Sequence, residues 1–476
     1  MKTEIVLPGS FEQEKHWYPA ALSATIHPMV TYFMGLGTER IIERYCHLRP
    51  TVKRNVLREL LTYKPQFYHL SGADLLHVTT ESGKRQMVII ENNSCPSGQK
   101  SMPLRDDLDE MGGYQRFIEE TFKMGLKRKR MISGKLAVIY DKNYMEASGY
   151  AAAMAESFGE PVYLVPCYSD APDNPVKVEN EVIMIRDEEG GWIPIRACFR
   201  YLTQQPWNRL PLTSRTHIFN PVITCLAGGR NKMVADKAYA MYNAELAEKG
   251  LRILTPETIW DVNKEEIPFW VKKLGGKAVI KVPYSNAGQG VYTIVNSAEL
   301  DEFMKLDFRY SQFIVQSLIG NYNWSSTGTS GKFYHVGTVP DQRIESYVLD
   351  FRMMIHNTST GYKPINIYAR RAKKPLVHNL RKGERSWDYL GTNLSIKKDD
   401  GSWDSDTSRL LLMDRKGFNR LGIGLDDLVE AYIQTVLSSI AIDKMAINLF
   451  NSKGKFRKKL FQSLNNDPTL INEIMP

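Results

Sequence analysis

The chain has 476 residues, 43% of them hydrophobic, enough to bury a large core spread over two or three domains. No apolar run approaches the roughly 18 residues that a membrane helix needs, and the opening MKTEIVLPGS lacks a signal-peptide apolar region. A cytoplasmic protein with no membrane partner is therefore expected. The net charge of +9 is compatible with a polyanion, but the densest basic runs, 127–130 and 453–459, read as solvated surface. No aromatic stacking motif or recognition helix accompanies them, which argues against a nucleic-acid partner. Five scattered cysteines, Cys46, Cys95, Cys167, Cys198 and Cys225, lack metal-type spacing and argue against a disulfide framework or a zinc site.

Residues 28–62 place apolar side chains at helical spacing among charges, predicting two or three helices. They lead into residues 71–78, SGADLLHV, a strand with one acid, Asp74. A turn at 81–83 and a second strand, QMVIIENNSCPSG at 86–98, follow. Residues two apart on a strand share a face, so Glu91 and Asn93 project together, Asn92 points away, and the turn brings Asp74 beside the pair. A carboxylate and an amide oxygen suit Mg²⁺, which takes few protein ligands and leaves places for phosphate oxygens. The alternative is that Glu91 and Asn93 end a strand and cap the next turn.

GADLL, a hydrophilic turn and VIIENNSCPSG resemble the last two core strands of the ATP-grasp fold, whose metal ligands are an Asp on one strand and a Glu-x-Asn on the next. In most members that motif closes the chain. Here it lies in the first fifth, as in the circularly permuted branch that includes eukaryotic glutathione synthetase and the glutathionylspermidine synthetase relatives. The Pro96-Ser97-Gly98 ending is most similar to the uncharacterised permuted bacterial proteins. The resemblance implies an α+β fold of two lobes gripping a nucleotide, circularly permuted, with a Rossmann-like α/β domain. The expected units are 1–112 (helices and permuted metal strands), 113–226 (Rossmann-like), 227–319 (first lobe) and 320–476 (second lobe and C-terminal helices). Asp74, Glu91 and Asn93 would hold Mg²⁺ or Mn²⁺.

After Pro103 a charged helix is predicted over about 106–130, then a β-α-β pattern: KLAVIY at 135–140, a helix at 145–158 and PVYLV at 161–165. Residues 182–186 and 193–199 add a hairpin. With no GxGxxG, no dinucleotide site is expected.

The loop 228–232, GGRNK, offers backbone donors and two cations ahead of a helix that Gly250 stops, an arrangement suited to an anion. By resemblance, the Asp-Lys that opens ADKAYAMYNAELAEKG supplies the first nucleotide lysine, Lys237; the alternative is a surface lysine. In KAVIKVPYSNAGQGVYTI, Lys281 sits inside an apolar strand, where burial is costly unless an anion meets it. The loop 284–290 brings glycines that let backbone N–H groups approach phosphate. This looks like the lysine and phosphate loop of ATP-grasp proteins, giving Ser285, Gly288, Gln289 and Gly290 as nucleotide contacts. The strand at 312–319 matches the adenine hinge and implies contacts from Gln316, Ser317 and Ile319, with Gln316 and Ser317 replacing the usual acidic pair.

A polar stretch at 321–331 reads as a lid. Period two puts Asp350 and Arg352 on one face of YVLDFRMMI, and INIYARR ends in paired arginines. By resemblance Arg352 and Arg370 are the catalytic pair that grips phosphate and an acyl phosphate; guanidinium suits that task because it stays charged and binds two oxygens at once. The alternative is a cross-strand Asp350–Arg370 ion pair. Asn393 is a further pocket candidate, and Ser94, Ser97, Arg200 and Arg230 are candidate substrate contacts. A helix over 425–440 reads as amphipathic packing. The implied activity is ATP-dependent ligation of a small carboxylate, an amino acid or peptide, to an amine through an acyl phosphate, in a monomer or homodimer. A small-molecule kinase on the same scaffold and a non-catalytic nucleotide-binding regulator are the rival readings.

Overall fold

Three sheets and one long buried helix carry the architecture, which the computed structural model describes over residues 2–106, 108–127, 131–169, 173–285, 288–329, 331–397 and 403–474. Parts of four predicted segments lie outside these residues: 107 and 128–130 of the charged helix and basic run, 286–287 of the glycine loop, and 330 of the polar stretch. A short strand, β1 (Glu4–Val6), comes first, followed by helices that include Thr38–Leu48 and Arg54–Leu61. The helical spacing is real: Ile41, Ile42, Tyr45, Leu57 and Leu61 form the buried stripe. Two long antiparallel strands follow, β2 (Leu70–Thr80) and β3 (Arg85–Asn93).

The β-α-β unit forms as the apolar pattern predicts. β4 (Lys135–Tyr140) runs through α1 (Tyr144–Phe158) into β5 (Val162–Pro166), with Leu136 opposite Val162 in parallel register. The helix stops at Gly159, whose φ of 64° lies in the left-handed region and whose N–H bonds the Ala155 carbonyl. β6 (Val176–Glu179), β7 (Val182–Arg186) and β8 (Trp192–Tyr201) complete a sheet of order β1-β5-β4-β8-β7-β6, with β9 (His217–Phe219) beside β8. The expected hairpin is present, Met184 facing Pro194. β1 joins this sheet while β2 and β3 do not, so the 1–112 unit read from sequence contributes to two sheets.

Next, α2 (Lys232–Leu246) starts at Asn231, whose side chain accepts the Val234 N–H. A four-stranded antiparallel sheet follows, built from β10 (Thr258–Val262), β11 (Ala278–Lys281), β12 (Val291–Ile294) and β13 (Phe313–Gln316) in the order β10-β13-β11-β12. β14 (Phe333–His335) and β15 (Leu349–Thr358) then return to β2, and β16 (Gly361–Arg371) pairs with β15. Asp74 comes to lie opposite Arg352, 278 residues later. The C-terminal segment packs on the four-stranded lobe: Asn465 accepts from the Tyr284 hydroxyl and Asp467 from the Ser311 N–H. The 320–476 unit read from sequence is thus also divided in space.

The long helix, α3 (Leu425–Asn448), departs from the amphipathic expectation because its polar residues are buried too. Each meets a partner, as buried polar groups must. Ser438 accepts from Asn92 at 2.9 Å, Ser439 donates to Ser71 at 2.8 Å, and Gln434 accepts the Leu254 N–H at 2.8 Å. Asp443 accepts the N–H groups of Gln66, Phe67 and Tyr68 at 2.8–3.0 Å and the Tyr63 hydroxyl at 2.8 Å, fixing the chain as it enters β2.

Asp443→Ala would strand the buried Tyr68 N–H and release the half-buried Phe67 N–H, so a loss of about 1–3 kcal/mol is expected. Urea unfolding checks this, and a loss under about 1 kcal/mol would show the entry into β2 to be held by other contacts.

Candidate active site

The second sheet and the third face each other across a cavity of about 810 Å³. One end is apolar, with Leu76, Ile90, Val279, Leu318 and Ile319 on its walls and Gln316 and Ser317 at its edge. The Gln316 amide is occupied, donating to Thr258 at 2.9 Å. Lys281 projects from β11 into the middle. A bulge in the β2–β3 ladder, where Asp74 faces Glu91 and Leu75 faces Ile89, leaves Ile90 unpaired, and its carbonyl accepts the Lys281 Nζ at 3.2 Å. Burial pushes the Lys281 ammonium down to about 8, and Lys232 pushes in the same direction against the opposing pull of Glu91. An arriving anion would restore its charge.

The glycine loop follows this lysine strand and lines the same cavity. Val282 N–H bonds the Gly290 carbonyl at 2.7 Å, and Gly288 (φ 74°) and Gly290 (φ 69°) adopt backbone that favours glycine. A Cβ on Gly288 would come within 2.8 Å of the Asn393 amide, so the loop rests on Asn393 and the Trp387 ring. Ser285, Gly288, Gln289 and Asn393 all line the cavity; Gly290 closes the turn behind them.

The opposite wall is electrostatic. Arg352 grips Asp74 with two parallel bonds of 2.5 and 2.6 Å; Arg370 reaches Asp74 at 2.9 Å and pairs with Asp350 through both Nε and Nη2. Thus the Asp350–Arg370 cross-strand ion pair exists, and it sits on the cavity wall. Burial alone would raise the Asp74 carboxyl, but the two guanidiniums outweigh it and hold it down to about 2. Burial prevails at Asp350 and raises its carboxyl despite Arg370. Among the described residues, Nη1 of Arg370 makes no hydrogen bond and is available to a ligand.

Glu91 and Asn93 share the cavity face of β3, and Asn92 points into the helix layer, as the period of two predicts. As arranged, however, the three expected metal ligands do not make a cation site. Both oxygens of Asp74 are held by arginines, the Asn93 carbonyl accepts Arg230 at 3.2 Å, and Glu91 stands 3.7 Å from Lys232. Among the described residues no cluster of three or more His, Cys, Asp or Glu side chains is placed to hold a metal. The cations here outnumber the carboxylates, which suits a polyanion.

Other expected residues fall elsewhere. Lys237 does not line the cavity: its Nζ pairs with Asp261 and the Leu464 carbonyl, both at 2.7 Å, and so joins the C-terminal segment to the lobe. Lys232, five residues earlier, is the lysine of this helix that approaches Glu91, and it donates to the Ser285 carbonyl of the glycine loop. The GGRNK loop carried that signal. Arg200 is completely buried against the thiols of Cys95 and Cys225, with Ser94 beside Cys225 at 3.2 Å, so Arg200 and Ser94 lie behind the cavity wall. Ser97 and Arg230 do line it. Ser97 donates to Glu146, which also takes the N–H groups of Gly98 and Gln99 and so locks the Pro-Ser-Gly turn. Tyr368 and Lys142 complete the wall with no sequence signal beyond their residue type.

The two antiparallel lobes, with a buried lysine and glycine loop facing an Asp and Glu-x-Asn strand pair, have the α+β arrangement of the ATP-grasp fold. No family model and no curated protein matches the chain. Solved structures that resemble it include ATP-grasp proteins. A glutathione synthetase-like effector from Globodera pallida is 10% identical, with 73% of this chain and 86% of that one covered and a TM-score of 0.38. A RimK domain ATP-grasp protein from Sphaerobacter thermophilus is 15% identical over 52% and 92%, with a TM-score of 0.29. The ATP-grasp ligase PsnB, complexed with minimal precursor, Mg and ADP, is 10% identical over 65% and 98%, with a TM-score of 0.26. These TM-scores are low, and the fold reading rests on the strand order and the facing lobes.

Asp74→Asn leaves two buried guanidiniums with one carboxylate, and should cost about 3–5 kcal/mol at neutral pH. Because the folded carboxyl titrates near 2, below its ordinary 3.8, its contribution is complete above that ordinary value and fades as pH falls toward 2. The gap between wild type and variant in urea midpoints should therefore narrow on acidification; a gap that does not change with pH would assign the stability to packing.

Proposed function

We propose that the protein is an ATP-dependent ligase of the ATP-grasp type that joins a carboxylate to an amine through an acyl phosphate. The observation that supports this most directly is the meeting, around one cavity, of an apolar slot, a buried lysine, a glycine loop, and two arginines with a donor to spare. ATP supplies the terminal phosphoryl group that converts a carboxylate into an acyl phosphate, which an amine then displaces. The apolar slot fits a purine ring. Lys281 and Lys232 face the phosphates and gain back the charge that burial withholds. Arg370 directs Nη1 at the transferring group, and Arg352, tied to Asp74 and to the Ser97 carbonyl, keeps the wall rigid. The glycine loop, resting on Asn393 and Trp387, shields the reactive centre from water.

We read the strand order as a circular permutation. β2 and β3, from the first fifth of the chain, complete the sheet whose other strands come after residue 330. No step is assigned to a divalent ion, because Asp74 is committed to its arginines.

The test is a screen that records ADP and phosphate together while amino acids and short peptides are offered pairwise. ADP, phosphate and an amide are expected in equal amounts; ADP with the phosphate retained on an acceptor would establish a kinase, and ATP binding without turnover a regulator. Lys281→Met should keep the fold and lower turnover at least about a hundredfold, the scale of losing a principal electrostatic group. Unchanged turnover would remove Lys281 from the chemistry.

A further inference from the structure

Beyond the arginines the cavity runs on to the first sheet. β4 there has β5 on one side and β8 on the other, both parallel to it. The chain leaves β4 through α1 to β5 and reaches β8 only afterwards, so the order reverses at the C-terminal end of β4. Open α/β sheets receive ligands at such a point. Lys142 and Asn143, from the turn after β4, and Gln204 and Gln205, beyond β8, line the cavity here.

One cation at this crevice has no partner among the described residues. Asp141, completely buried, spends its carboxylate on the Thr203 N–H and hydroxyl, the Gln204 N–H and Arg209, the last at 2.7 Å. Lys142, next to it, makes no hydrogen bond or ion pair among the described residues. The Gln205 amide is turned from the cavity, its Nε2 fully buried and its Oε1 accepting the Tyr310 hydroxyl. Arg230 faces the same space while bonding Asn93 and the Cys95 carbonyl. Burial pushes the Lys142 ammonium down to about 8; Arg230 and Arg352 push it the same way, while Asp141 and Cys95 oppose them. The start of α1 adds its partial positive charge.

We propose that this crevice seats a carboxylate of the second substrate, remote from the reacting atom, held by Lys142 and Arg230. Naming the occupant a substrate rests on the ligase reading; the carboxylate site itself does not.

Calorimetric titration of glutarate, with dimethyl glutarate as the uncharged control, into the full chain without nucleotide tests it. The wild type should bind glutarate and not the diester. Lys142→Met should weaken glutarate at least about tenfold, the worth of a charge-assisted hydrogen bond, and Lys142→Arg by no more than about threefold. Wild-type affinity should fall as pH rises through about 8, where Lys142 loses its charge, and stay flat in Lys142→Arg. Equal binding by wild type and Lys142→Met, or no glutarate binding by the folded wild type, overturns the site. Failure of the ligase reading would show separately, as absence of ADP formation in the pairwise screen, with glutarate binding intact.

Discussion

The clasp of Arg352 and Arg370 on Asp74 and Asp350 ties together three strands that come from opposite ends of the chain. β2, β15 and β16 meet in register there, and the charges are buried, so neither sign can be left unmatched without a large desolvation cost. This pairing sets where the cavity wall stands and through Arg352 reaches the carbonyl of Ser97 in the turn that follows β3. The glycine loop, the lysine strand and the apolar slot are arranged against that wall.

Behind the sheet the same economy holds without charge. α3 buries a polar stripe that elsewhere would face water, and uses it to fix Asn92, Ser71, Leu254 and the entry to β2. Alternation along β3 makes both roles available from neighbouring residues: Glu91 and Asn93 serve the cavity while Asn92 serves the helix. A single bulge at Ile90 then turns a backbone carbonyl toward Lys281, so the strand that carries Glu91 also orients the lysine.

The electrostatic character of the cavity follows from what each acid is already doing. Asp74 and Asp350 are spent on arginines, Asp141 on Arg209 and backbone, and Glu146 on the turn after β3. Lys281, Lys232 and Lys142 are left undercompensated, each with its ammonium pushed down first by burial. Such a site is poised for ligands that bring negative charge with them, a triphosphate toward one end and a carboxylate toward the other.

Much of this was legible in the residues. The period of two placed Glu91 with Asn93, the apolar run around Lys281 marked a lysine in need of an anion, and the turn at 81–83 brought Asp74 to Glu91. Those are local properties: side-chain alternation and burial cost act over a few residues and need no knowledge of distant strands. Which acid meets which cation is not local. That Asp74 answers to Arg352, that Lys232 and not Lys237 turns toward Glu91, and that Lys142 is left without a carboxylate depended on strands and helices meeting across hundreds of residues. Sequence by itself determined the strands, their faces and the chemistry they offer; only tertiary structure decided how those charges were paired, because a buried ion's partner is set by contact in space.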